Sequence, residues 1–444
     1  MKNDNEMKVM KDGAVQDRQY FFGMPSGKYI EVLDAFTGTR VNSCETSSLP
    51  LTAKEELRER VFAGAKARWG ELTENIRERL DFELSVTETL GQTEYILMAA
   101  HVAAAIHAAG GRIAPGRGAC AASAMLYALN VTNLDPLQHD LLFTLFMCLG
   151  RKRKMPVLID TDAKGEVAAH AYLKDTYGEI EVLHYQHDAP HLLKVNDWEI
   201  GITHSPAVDR LSEMLDAICT TTDEWIDLAR LPKDDHKTLL AFQNGELSDI
   251  PCFDCSAIQA ALGKVNVTFD ELVNIRALVY LEFTKRLDTY LARRRGETEV
   301  VFAHPLLQDI LGETCGLFIF HEQILLVSHR LGGFTLDEAE ICRRVLYMRR
   351  EKEMAIAFKK FLSGCLANPA FRTEECANEQ QAYTIAVSIW NDIVYNSSRT
   401  FMKAHVVAIV RLAYILGYLK CHHFSTRNTP NARKGTASFS FGGS

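Results

Sequence analysis

This 444-residue chain has no surplus of positive charge: 49 Lys and Arg stand against 57 Asp and Glu, for a net charge of −8. Overall charge therefore gives no pull toward nucleic acid or an anionic membrane, and a nucleic-acid binder of this composition must gather its cations locally. A long apolar run is also missing. The most apolar stretch, Tyr95 to Ala109, is too short to span a bilayer and carries His101 and His107. The 11 cysteines lie scattered from Cys44 to Cys421, and only Cys252 and Cys255 form a close pair. Neither a disulfide scaffold nor a structural zinc site with two ligand pairs is indicated. Met1 to Asn5 is polar with no apolar run behind it, unlike a signal peptide. The expectation is a cytoplasmic protein with reduced thiols and no membrane association.

What is present suits a folded chain of two or three domains, with 47% hydrophobic and 24% charged residues. Residues 1–53 have weak periodicity and read as an N-terminal extension. Thr52, with Glu55 three residues later, forms a capping-box signature opening a helix. Further helices are expected over 74–90, 93–109, 119–129 and 137–148. MPVLID over 155–160 reads as a strand, 166–177 as a helix, and 180–196 as a strand pair turning near Asp188 to Pro190. From Leu211 onward the pattern is mostly helical, and 425–444 is a Gly- and Ser-rich tail. The resulting division is 1–53, 54–210, 211–424 and 425–444.

Four constellations carry chemistry. Pro115-Gly116-Arg117-Gly118 precedes a helix, where glycines allow close backbone approach to a phosphate and Arg117 offers a two-pronged donor; the alternative is a Gly-rich turn with a surface Arg. Asp160-Thr161-Asp162 ends a strand, whose alternation would place both carboxylates on one face, a donor pair for Mg²⁺ in nucleotidyl transfer; the alternative is a solvent-facing acidic turn. Arg343, Arg344, Arg349, Arg350, Lys352, Lys359 and Lys360 cluster in one helical region, with a second basic run from Arg151 through Lys152 to Lys154. A solvated helix face is the alternative there. Lys403 and His405 open a long apolar helix and could contact phosphate, or His405 could be a satisfied helix-start histidine.

Taken in order, these pieces resemble the alpha subunit of bacterial DNA polymerase III, the C family of replicative polymerases. IAPGRGACAASAMLYALNVTNLDPLQHDLLF over 113–143 is similar to that family's G-P-G-R-G-S turn and D-L-L-F helix. Arg68 to Leu72, Leu231 to Asp235, Gly316 to Gln323, Leu331 to Met354 and the F-x-K-x-H motif at Phe401, Lys403 and His405 extend the likeness over about 54–424. The resemblance implies an α+β fold, with a polymerase-beta-like nucleotidyltransferase palm over 54–210 and helical fingers over 211–424. It implies DNA-directed DNA synthesis with dNTPs on primer-template DNA, with Mg²⁺ as cofactor and replisome proteins as partners. Asp160, Asp162 and Asp197 would hold the metals. Gly116, Arg117, Gly118, Arg343, Arg344, Lys403 and His405 would hold the nucleotide, and Lys152, Arg349, Arg350 and Lys352 the DNA.

The sequence also departs from that family. The M-P-D-x-D-x-D-F strand here reads MPVLIDTDA, and without a one-residue insertion after Pro156 the two catalytic columns fall on Ile159 and Thr161. The third column falls on Asn196, with Asp197 one place later, where a strand would turn it to the opposite face unless bulged. Ala119 replaces a serine, Tyr280 to Phe283 an R-P-G-P loop, and Pro251 to Cys255 an F-Q-x-E-S motif. Only a short connection runs from Gly178 to Lys194, and thumb, N-terminal phosphoesterase and C-terminal regions are expected to be absent. These departures raise a second expectation, a catalytically lapsed paralogue that binds DNA or protein.

Overall fold

A computed structural model describes residues 52–151, 154–183, 192–222, 225–280, 284–373 and 378–424. Nearly all of the N-terminal extension, the tail, Lys152 and the turn expected near Asp188 lie outside the described residues. Four strands form one mixed sheet in the order β1-β4-β3-β2: β1 Val157–Thr161, β2 Glu181–Leu183, β3 Leu192–Val195 and β4 Trp198–His204. Strand β1 runs parallel to β4, with Asp160 level with Thr203; β3 and β4 form an antiparallel hairpin closed by Asn196 and Asp197. Val157, Ile159 and Thr161 face the interior, while Leu158 and Asp160 face the other side of the sheet, as period-2 alternation requires.

The rest is helical, so the expected α+β class holds. Around the sheet lie α1 Ala53–Trp69, α2 Glu74–Thr89, α3 Thr93–Ala108, the short α4 Ala124–Ala128, α5 Ala163–Tyr177 and α6 Pro206–Thr222. Helix α1 begins at Thr52, whose hydroxyl accepts from the Glu55 N–H while the Glu55 carboxylate accepts from the Thr52 N–H. The capping box is formed as read. The apolar side of the sheet packs with α1 to α5 in one core built on Ile96, Ile106, Leu126, Val157 and Ile200.

Two expected helices are shortened. Residues 119–129 form a 3-10 turn, Gly118–Ala122, then α4, because Ser123 takes an extended conformation and caps α4 through its hydroxyl. The cause lies far away in sequence. Buried Glu83 accepts from the Ser123 hydroxyl and from the N–H groups of Ala124 and Met125, all at 2.7–2.9 Å, satisfying the donors that a new helix start leaves open. Residues 137–148 hold only two 3-10 turns, Leu137–His139 and Phe143–Leu145, separated by Asp140 at φ 50°. Arg79 fixes both places by donating to the carbonyls of Ala122 and Leu141.

The remaining helices are α7 His236–Gln243, α8 Ser256–Leu262, α9 Phe269–Tyr280, α10 Thr284–Arg294, α11 Gln308–Leu311, α12 His321–Arg330, α13 Leu336–Tyr347, α14 Glu351–Ala367, α15 Glu379–Asn396 and α16 Lys403–His423. Helix α16 is long and apolar enough to cross a membrane, yet 72% of that window is buried inside the fold. It forms the axis of a second core with α6 to α10, and residues of the 118–122 turn pack there too. A third core joins α12 to α15. Its closest approach is backbone on backbone. A Cβ on Gly364 of α14 would sit 1.9 Å from the Gly332 carbonyl oxygen.

Gly364→Ala should therefore force α14 away from the turn after α12. A loss of about 2 kcal/mol or more is expected for such overpacking, read as a lower urea midpoint with an unchanged m-value. A midpoint equal to that of the unmodified chain would refute the close packing.

Candidate functional site at the sheet edge

The C-terminal end of β1 meets the glycine turn. The Ala114 N–H donates to the Asp160 carbonyl at 2.8 Å, tying residues 113–118 alongside the strand. Gly118 takes φ 63°, a conformation open to glycine, and its N–H donates to Nδ1 of His405 at 3.0 Å. The Cys120 thiol donates to the Arg117 carbonyl at 2.9 Å. With its backbone held on both sides, Arg117 reaches the open face of β1, where its Nη1 lies 2.9 Å from Oδ1 of Asp160. The two side chains are only 15% and 14% exposed. Burial pushes the Asp160 carboxyl up, while the Arg117 guanidinium opposes that shift.

The other two aspartates go elsewhere. Asp162 is the N-cap of α5. Its carboxylate accepts from the N–H groups of Gly165 and Arg112 and from the Ser212 hydroxyl, at 2.9, 3.1 and 2.9 Å. Asp160 and Asp162 therefore do not share a strand face, because the strand ends at Thr161 and Asp162 turns inward to start the helix. Asp197 is neither shifted to the opposite strand face nor rescued by a bulge. It sits exposed in the two-residue β3–β4 turn, where Asn196 takes φ 54°, as Asn does more readily than most residues. Thr203, the β4 neighbour of Asp160, lies six residues further along the strand. At ~3.3 Å per residue, Asp197 is about 20 Å away at the other end of the sheet.

Ile159 is buried, and the buried Thr161 hydroxyl donates to the Arg112 carbonyl at 2.7 Å. One carboxylate thus faces the open side at this end, opposite an uncharged threonine. Among the described residues no group of three His, Cys, Asp or Glu side chains is placed to hold a metal ion. The expected donors do not fit a pair of Mg²⁺ ions, which need several convergent oxygens with negative charge among them.

The expected nucleotide-binding cations also divide. Arg343 is buried and bidentate on buried Glu340, at 2.7 and 3.1 Å, with Arg151 at 3.5 Å from the same carboxylate. That cluster holds α13 to the segment before β1. Lys403 gives its backbone N–H to buried Glu322, which also accepts from Ala404 and so caps α16, and its ammonium lies 3.5 Å from Glu313. His405 is pushed down to about 3 by burial, with Arg117 and Arg276 nearby; it is neutral at pH 7 and acts on the glycine turn. Arg349, Arg350 and Lys352 are exposed around the start of α14, with Arg344 half-buried beside them.

Sequence reasoning missed β4, and with it Thr203 and the register of the whole site. It also missed Arg112, which holds Asp162 through its backbone N–H and Asp216 through its side chain at 3.0 Å.

Comparison with known proteins agrees with the order of these elements. The family model described as bacterial DNA polymerase III alpha NTPase domain matches residues 55–187, and that of the bacterial DNA polymerase III alpha subunit finger domain matches residues 207–369. This chain is a divergent DNA polymerase III alpha-like protein. Similar relatives include an error-prone DNA polymerase of Symbiobacterium thermophilum, 25% identical over 82% of this chain. Two DNA polymerase III alpha subunits, from Halalkalibacterium halodurans and Bacillus subtilis, are 23% and 20% identical, each over 84% of it. The aligned part spans 42% of the length of each of these relatives.

Two buried imidazoles and the half-buried His139 of this alpha-like chain generate a pH dependence. Burial holds His107 down to about 4, and His139 and His405 down to about 3. The unfolded chain takes up these protons near pH 6.5 and the folded one does not, so this stability is full above 6.5 and is lost as pH falls toward 4 and 3. Each imidazole adds a slope approaching about 1.4 kcal/mol per pH unit in that window. Carboxyls held up by burial, such as Asp227 at about 6, add the opposite slope, so the histidine contribution is read by difference. Between pH 7.5 and 4.5 the urea midpoint of His107→Gln should fall less than that of the unmodified chain, and parallel profiles would contradict the assignment of a neutral buried His107.

Proposed function

We propose that this chain is a DNA polymerase III alpha-like core that binds DNA and has lost two-metal nucleotidyl transfer. The observation carrying this reading is the dispersal of the three expected aspartates: one paired with Arg117, one capping α5, one at the far end of the sheet. Without convergent carboxylates, nothing among the described residues would gather two cations around a primer 3′-hydroxyl and a leaving pyrophosphate. The α+β scaffold remains, with the glycine turn bound into it, and the exposed cations of the helical half are left as a surface for nucleic acid.

Binding is assigned to the start of α14. Arg349, Arg350 and Lys352 are exposed there, and the positive end of a 17-residue helix adds to their field. Arg350 stands exposed at the N-cap position, where its guanidinium, a donor only, can meet phosphate. Glu351 and Glu353 in the first turn moderate that field, which favours modest affinity with strong salt dependence.

Fluorescence anisotropy of a labelled primed template, titrated with salt in EDTA and again in Mg²⁺, tests the reading. Affinity should be nearly equal in the two at matched ionic strength. Replacing both Arg349 and Arg350 with Ala should weaken binding at least tenfold at low salt and lower the log–log salt slope by about two. Absence of salt-sensitive binding, or an unchanged slope in the double variant, would remove DNA binding through this surface.

A further inference from the structure

The carboxylate that remains on the open face of β1 is already neutralised. We infer that Arg117 stands in for a divalent cation: its guanidinium is a built-in counter-ion to Asp160, withdrawing that carboxylate from metal and Arg117 itself from a nucleotide's phosphates. This rests on the reading that two-metal chemistry is lost, and it goes further, since it says what replaced the metal and which ligand class was lost with it.

The pair is held from both sides. The Arg117 backbone is fixed, because its carbonyl accepts from the Cys120 thiol and the next N–H is held by His405. Asp160 cannot drift, because it sits in a strand paired to β4 on one edge and bonded to Ala114 on the other. The same thiol lies 3.5 Å from the Leu158 carbonyl, joining the turn to the strand. Beside Asp160, β4 offers Thr203 where a second carboxylate would have to stand, and a Cβ on the next inward position of that face, Gly201, would lie 2.6 Å from the Leu158 side chain. A lone carboxylate with a guanidinium at 2.9 Å has its charge met and its best lone pair engaged. A metal would have to displace an arginine whose side chain is only 15% exposed to reach one ligand. A triphosphate would have to take that arginine from a carboxylate left buried without a partner.

The test uses the full chain and three variants, Arg117→Met, Asp160→Asn and the two combined, with Mn²⁺ binding followed by electron paramagnetic resonance and stability by thermal melting. The unmodified chain should bind no Mn²⁺ below millimolar concentration. Arg117→Met should melt several degrees lower, and adding Asp160→Asn should restore most of that loss. Mn²⁺ should raise the melting temperature of Arg117→Met and leave the combined variant unmoved. Sub-millimolar Mn²⁺ binding by the unmodified chain that disappears in Asp160→Asn would overturn the inference, and this arm stands even if Arg117→Met does not fold. A combined variant no more stable than Arg117→Met alone would overturn it as well. No arm contains DNA, so failure to bind DNA would count against the proposed function and leave this result intact.

Discussion

The register of β1 against β4 is the constraint on which the rest depends. Pairing Asp160 with Thr203, and Val157 with Ile200, commits Val157, Ile159 and Thr161 to the core and leaves Leu158 and Asp160 on the open face. A strand has no intermediate choice, since a slip of one residue exchanges the two faces. In the other register Asp160 would enter an apolar core beside Ile200 and Ile202, and Ile159 would leave it. Burial of the apolar set therefore settles which acid faces outward, and the end of the strand at Thr161 then sends Asp162 into the cap of α5.

Around that register the polar groups are engaged in holding the chain rather than in waiting for ligands. Glu83 organises the start of α4, Glu322 caps α16, Glu340 joins Arg343 to Arg151, and His405 supports the glycine turn. Each is buried, so each would be costly to leave unpaired. Several of the motifs that make the chain similar to DNA polymerase III alpha subunits are thus bound into its architecture. The exposed cations at the start of α14 are different, being held by no such network.

Much of the fold was legible from local pattern. The Thr52–Glu55 box fixed the start of α1, and strands β1 and β3 came from short apolar runs. What failed was decided at a distance. Residues 119–129 look like one helix until Glu83, some forty positions away, draws off the Ser123 hydroxyl and the N–H groups of Ala124 and Met125. Strand β4 went unread because its Trp-Glu-Ile-Gly-Ile-Thr-His alternation is interrupted by Gly201, whose value lies in letting Leu158 and Leu192 close over it. Within the site, the meeting of Arg117 with the β1 carboxylate was foreshadowed only as two separate motifs. Asn196-Asp197 carried its own signal as a two-residue turn between apolar runs, and alignment to a family column obscured it.

Primer extension tests the central claim most directly: purified chain at micromolar concentration, a primed template, all four dNTPs and Mg²⁺ or Mn²⁺, with Asp160→Asn prepared alongside. Dispersed carboxylates should give no extended product above that of Asp160→Asn in either metal. Extension by the unmodified chain that Asp160→Asn abolishes would contradict the account, for it would mean that the aspartates gather around metal when DNA and nucleotide are bound.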